Sequence, residues 1–139
     1  MTSRPQTPGR KPHLLLVDDD EAAAFFVRRA IRKAGEDVHF SYVTGVQAAL
    51  ETLRRPADEH GPVTHILLDL NMPGLTGWDF LEMTRNDEEL LPPHVRVFVL
   101  TSSVNPDDIT RAEAYDRVAA YFEKNPNAHM VKSVLGLAA

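Results

Sequence analysis

Four strand-like segments of this chain each run out on a residue that can do chemistry. HLLLV (13–17) ends on Asp18, Asp19 and Asp20. VTHILL (63–68) ends on Asp69, just ahead of the turn NMPG. VRVFVL (95–100) ends on Thr101, Ser102 and Ser103, and residues 118–123 end at Lys124. Singly, each has an ordinary explanation. Asp20 suits a helix cap, Asp69 suits turn chemistry before Pro-Gly, the hydroxyls suit caps, and Lys124 suits a solvated surface. Together they form a rarer set: carboxylates, a hydroxyl and an ammonium, all at strand ends. Clustered carboxylates repel one another unless a cation neutralises them. Oxygen donors suit a hard ion, Mg²⁺ or Mn²⁺. A carboxylate beside such an ion can attack phosphorus and become an aspartyl phosphate. The ion, a lysine and a threonine hydroxyl can then hold the transferred oxygens.

These residues meet only if the strands lie side by side and point the same way. The intervening segments supply that arrangement. Residues 21–34 read as a helix capped by Asp20 and stopped by Gly35, with Ala23, Phe26, Val27, Ala30 and Ala34 on one face. Residues 38–43 form a strand. Thr44 caps a helix carrying Val46, Ala49, Leu50 and Leu53 at helical spacing. Further helices are predicted over 78–85 and 106–116. A last one is capped by Asn125, with Pro126 at its first position. Five strands alternating with five helices imply an open parallel sheet covered on both faces. The unbroken apolar runs HILL and VFVL fit strands buried on both sides. In such folds the site lies outside the carboxyl ends of the strands, where Asp18, Asp19, Asp69, Thr101 and Lys124 fall.

The chain has 139 residues, which suits one domain, and 43% hydrophobic content, which supports a core. There is no cysteine, so thiolate zinc sites and disulfides are excluded; a cytoplasmic setting is compatible with this. The six histidines, His13, His39, His60, His65, His94 and His129, show no ligand spacing. A net charge of −5 argues against a nucleic-acid partner. No run approaches the ~18 apolar residues of a membrane span. Residues 1–12, with three prolines and three basic residues, read as a disordered tail ahead of a domain over 13–139.

The segments LLLVDDDE, ILLDLNMPGLTGWDFL, VFVLTSS and YFEK resemble the receiver domain of bacterial two-component response regulators, of the stand-alone CheY-like kind. The resemblance spans about 13–136. It implies a flavodoxin-like (βα)5 sheet of order 2-1-3-4-5. It implies that Asp69 accepts a phosphoryl group from a sensor histidine kinase in a Mg²⁺-dependent reaction. Asp18, Asp19, Asp69 and the Asn71 backbone carbonyl would hold the metal. Thr101 and Lys124 would bond the phosphoryl group, and Tyr121 would be the aromatic that follows Thr101. Asn71 and Ser103 match positions that tune autodephosphorylation. The only catalysis implied is the chain's own phosphoryl transfer and its reversal by water, so it is not an enzyme in the usual sense.

With no sequence left after the fifth helix for an output domain, signalling is expected through protein binding, phosphorelay or phosphate drain. The expected readout surface is helix four, strand five and helix five. Helix four carries a thin apolar stripe, Ile109, Ala112 and Tyr115, and should dock weakly. Met130, Val134 and Leu137 widen the apolar face of helix five, either as deeper core or as a homodimer or partner surface. One departure from the family pattern is Lys124-Asn125-Pro126 in place of Lys-Pro, so the loop into the last helix is expected to be rearranged. Glu123 is charged where the family is commonly apolar or small. Two rival readings remain. One is a degenerate receiver acting only as a binding module. The other is an aspartyl-phosphate phosphatase, which would want an acidic residue at position 71, where Asn71 stands.

Overall fold

The computed structural model describes residues 11–103 and 105–138, with side chains through residue 136. Ten elements alternate: β1 His13–Val17, α1 Glu21–Ala34, β2 His39–Val43, α2 Val46–Arg54, β3 His65–Leu68, α3 Gly77–Thr84, β4 Arg96–Thr101, α4 Pro106–Glu113, β5 Val118–Glu123 and α5 Ala128–Ala138. All strand pairs are parallel, in the order β2-β1-β3-β4-β5. The expected architecture and strand order are both present.

Alternation along each buried strand builds two cores. Leu15, Val17, Ile66, Leu68, Val97 and Val99 face α2 and α3, meeting Leu50, Phe80 and Leu81. Leu14, Leu16, Leu67, Phe98 and Leu100 face α1 and α5, meeting Val27, Ile31, Val131 and Val134. Both faces of the central strands are therefore apolar, which is why they read as continuous runs. Parallel register aligns the strand ends: Val17 stands opposite Leu68, and Thr101 opposite Glu123. An irregularity between Val97 and Phe98 leaves Ala119 as an extra residue in β5.

Local chemistry sets most boundaries. Asp20 caps α1 by accepting from the Ala22 N–H at 3.0 Å. Gly35 ends the helix in the left-handed region, φ 70°, donating to the Arg32 carbonyl. Thr76 and Asp79 form a reciprocal capping box on α3.

Several expectations shift. The cap of α2 is Gly45 rather than Thr44, with no side-chain bond. Helix α5 opens at Ala128, because the Asn127 side chain accepts from the Met130 N–H at 2.8 Å and so caps in place of Asn125. The Asn125 N–H instead turns back to the Glu123 carbonyl at 2.7 Å. Phe26 does not face the core. It is 45% exposed, in edge-to-face contact with the exposed Phe25, because the buried stripe of α1 is centred between Val27 and Ile31. Met130 and Val134 are buried in the α1-side core, which resolves the widened face of α5 to core at those two positions. Leu137 lies outside the described side chains. Of the tail expected over 1–12, residues 1–10 lie outside the described residues. Lys11 pairs with Asp37 at 3.1 Å, and the Pro12 carbonyl accepts from His39 N–H. No described helix is long and apolar enough to cross a membrane.

Candidate functional site

Backbone hydrogen bonds that extend the ladders past the strands place the reactive side chains together. The Asp69 N–H donates to the Val17 carbonyl at 3.0 Å, which sets Asp69 beside Asp18. The Asp18 N–H donates to Val43, and the Lys124 N–H donates to Thr101 at 2.8 Å. Asp18 and Asp69 are buried, Asp19 is exposed, and one oxygen from each lies within 4.8 Å of the others.

Gly77 opens α3 immediately behind this ridge. A Cβ there would collide with the Asp69 carbonyl oxygen and lie 2.7 Å from Leu70 Cα. The glycine therefore lets α3 start against the backbone that carries the carboxylate.

Lys124 stands among the acids. Its Nζ donates to Asp18 Oδ1 at 3.1 Å and lies 2.9 Å from Asp18 Oδ2 and 3.5 Å from Asp69 Oδ2. The contact to Asp18 Oδ2 lacks hydrogen-bond geometry, so that buried oxygen has no hydrogen-bond partner among the described residues. Burial raises the Asp18 pKa, and the nearby Asp69 charge adds to this; the bonds from Lys124 and the Asp20 N–H oppose it. For Lys124, burial alone would lower the pKa, but its bond to Asp18 and the carboxylate charges carry it upward.

These donors fit a hard divalent cation. The set is all oxygen, two members are buried, and one buried oxygen lacks a hydrogen bond.

Thr101 is fully buried at the next strand end. Its Oγ1 accepts from Asn71 Nδ2 and from the Ser103 N–H, both at 3.4 Å. Tyr121, half-buried on β5, donates its hydroxyl to the Ser103 carbonyl at 3.0 Å. Burial raises the Tyr121 pKa, which keeps the phenol a neutral donor.

The expected residues Asp18, Asp19, Asp69 and Lys124 thus gather in one place, with Asn71, Thr101, Ser103 and Tyr121 linked beside them. Asp20 serves as a cap.

Three features were not anticipated. Ser103 Oγ donates to Asp108 on α4 at 2.6 Å. Helix α4 and the turn after it are strapped to α3, with the Arg111 guanidinium 4.0 Å from the Trp78 ring centroid and the hydroxyl of Tyr115, just past the helix, donating to Glu82 at 2.6 Å. At the opposite end of the sheet, His13 meets His39 edge-to-face and His39 stacks on His60, with centroids 4.5 and 3.7 Å apart. Both nitrogens of His13 are already engaged, by the Gly61 carbonyl and the Ser41 hydroxyl. A cavity of about 660 Å³ opens beside them, lined in part by His13, Leu53, Arg55 and Leu91, and shares no residue with the carboxylate cluster.

Comparison with known proteins agrees with this geometry. Residues 14–134 match the family model described as response regulator receiver domain. The chain is 29% identical over 119 residues to chemotaxis protein CheY of Pseudomonas aeruginosa, covering 86% of this chain and 89% of CheY. It is 31% identical over 104 residues to sensory/regulatory protein RpfC of Xanthomonas campestris, but spans only 13% of that protein's length. A two-component response regulator from Cytophaga hutchinsonii superposes with a TM-score of 0.78 at 28% identity, covering 93% of this chain and 97% of the other. The phosphorylated cyanobacterial phytochrome response regulator RcpA gives 0.72 at 27% identity, covering 93% and 91%.

Proposed function

The chain belongs to the response regulator receiver domain family, and on that premise we propose that it accepts a phosphoryl group on Asp69 from a histidine kinase and signals by phosphorylation-dependent binding or phosphorelay in the cytoplasm. One Asp69 carboxylate oxygen attacks phosphorus. The bond from phosphorus to the donor's imidazole nitrogen breaks, and its electron pair leaves with that nitrogen. Bound Mg²⁺ or Mn²⁺ would supply charge neutralisation between the acceptor and the incoming phosphoryl oxygens, held by Asp18, Asp19, Asp69 and the Asn71 carbonyl.

Thr101 donates its hydroxyl to a phosphoryl oxygen, since among the described residues that hydroxyl only accepts, through two long bonds. Lys124, already 3.5 Å from Asp69, pairs with the new charge. Water later attacks phosphorus and restores the carboxylate, with Asn71 and Ser103 bordering its approach. The added charge, about −1.5 to −2 at neutral pH, draws Thr101. Tyr121 and α4 follow through Ser103, and the equilibrium between two arrangements shifts. The readout face is α4, β5 and α5. Only Ala112 of α4 is fully buried, and β5 is a half-buried edge strand.

The convergence of Asp18, Asp19 and Asp69 oxygens within 4.8 Å, with Lys124 among them, carries this reading. The test is incubation with acetyl phosphate and Mg²⁺, followed by intact mass. The native chain should gain one phosphoryl group when the metal is present and none when a chelator is added beforehand, and Asp69→Asn should gain none. A native chain that takes up no phosphate would point instead to a degenerate receiver acting as a binding module.

A further inference from the structure

Ser103 is a junction of three bonds. Its N–H donates to Thr101 Oγ1 at 3.4 Å, its carbonyl accepts from the Tyr121 hydroxyl at 3.0 Å, and its own hydroxyl donates to Asp108 Oδ2 at 2.6 Å. The first bond reaches the buried threonine next to the carboxylate cluster. The second reaches β5. The third reaches the first turn of α4, a helix that buries only Ala112 completely. A helix with so little apolar anchorage is positioned largely by its polar contacts. The 2.6 Å bond is short and charge-assisted, the strong class of hydrogen bond. The Asn105 N–H also approaches Ser103 Oγ, at 3.4 Å, so the hydroxyl joins the strand end to both the cap and the first turn of α4.

We infer that Asp108 is a positioning residue, tying helix α4 to the end of β4 through the Ser103 hydroxyl so that displacement of Thr101 is transmitted to the helix. This rests on the reading that Thr101 responds to phosphorylation of Asp69. It adds the element that carries the response onward. Asp108 touches neither the acceptor nor the metal ligands. It acts through Ser103, and its influence falls on how far α4 follows the site.

Trp78 supplies the readout. It is the sole tryptophan, and Arg111 of α4 lies 4.0 Å from its ring centroid, so movement of α4 alters the surroundings of the indole. Asp107 supplies the control. It occupies the same first turn, is exposed, and has the same favourable interaction with the helix dipole, but makes no bond to Ser103.

The experiment uses the full chain with acetyl phosphate and Mg²⁺. The labelled fraction is read by intact mass and Trp78 emission in parallel, and the emission change is expressed per labelled molecule. In Asp108→Ala and Ser103→Ala that change should fall by about threefold or more, as loss of a charge-assisted bond predicts. Asp107→Ala should keep the native response. Asp108→Asn, which retains an acceptor of the same shape, should recover part of it. A native response in Asp108→Ala overturns the inference. So does an equal loss in Asp107→Ala, which would assign the effect to the helix dipole. A labelled native chain whose Trp78 emission does not move overturns it as well. A native chain that is not labelled at all overturns the underlying reading together with this one.

Discussion

Lys124 is paired more closely with Asp18 than with Asp69: 2.9 Å against 3.5 Å. The ammonium therefore compensates the Asp18 end of the cluster, and a cation proposed to bind there would compete with it for one set of carboxylates. The proposed phosphorylation would change that balance, because it would place new charge on the Asp69 side.

Replacing Lys124 by methionine should expose this competition. Asp18 is fully buried, and the lysine side chain is only 19% exposed. Removing one partner of a buried pair strands the other charge, here at a cost of roughly 2–4 kcal/mol because the pair keeps some solvent. Urea unfolding in metal-free buffer should show that loss. Added Mg²⁺ should stabilise Lys124→Met more than it stabilises the native chain, since the ion then meets carboxylates with no ammonium between them. Equal gains from Mg²⁺ in both proteins would remove the competition argument.

Gly77 makes a different kind of prediction. An alanine there sets its Cβ against the Asp69 carbonyl oxygen and 2.7 Å from Leu70 Cα, and both neighbours are backbone. Neither can rotate away, so β3 and α3 must separate at Asp69. Gly77→Ala should lose about 1–3 kcal/mol, as overpacking does, and should be labelled by acetyl phosphate more slowly than its stability alone explains. Gly136→Ala, where nothing lies within 4 Å of the new Cβ, should instead gain about 0.4–1 kcal/mol. Unfolding midpoints and labelling rates of the two variants decide the matter. A native labelling rate in Gly77→Ala would show that the helix start does not position Asp69.

How much of this was legible beforehand follows from which interactions are local. HILL and VFVL are apolar runs because both faces of a central parallel strand are buried, so strand identity could be read directly, while the strand order was implied only by the family resemblance. The strand ends carried Asp18, Asp69, Thr101 and Lys124 for the same reason: that edge is where polar groups can stand. Helix starts were less legible. Thr44 and Gly45, or Asn125 and Asn127, offer equivalent caps within two residues, and tertiary fit decides between them. Phe26 misled because a stripe of small alanines leaves the rotation of α1 open. The Ser103–Asp108 bond depends on how the chain folds back between a strand and a helix, which no periodicity encodes. The row of His13, His39 and His60 joins three separate segments, and no spacing rule anticipates it.

The last prediction concerns acid stability and rests on His65. This residue is 7% exposed. Its Nδ1 lies 2.6 Å from Thr64 Oγ1, its Nε2 is buried without a partner, and its ring stacks on Phe98 with centroids 6.2 Å apart. Burial pushes its pKa down from 6.5 to about 4. Above pH 6.5 the imidazole is neutral in both folded and unfolded chains, so it contributes no pH dependence there. Between 6.5 and about 4 the unfolded chain takes up a proton that the folded chain refuses, so stability falls as the pH falls through that window. The full effect is about 3 kcal/mol by the end of it. His65→Leu keeps an apolar contact on Phe98 and cannot titrate. Its unfolding free energy, measured from pH 7 to pH 4, should therefore decline less than the native value. The two curves should diverge by up to that amount below pH 6.5 and run parallel above it. Every other titratable group is common to both proteins, so its contribution cancels from the difference. Curves that stay parallel throughout would mean that His65 takes up its proton inside the fold as readily as outside, and the buried neutral imidazole would have to be abandoned.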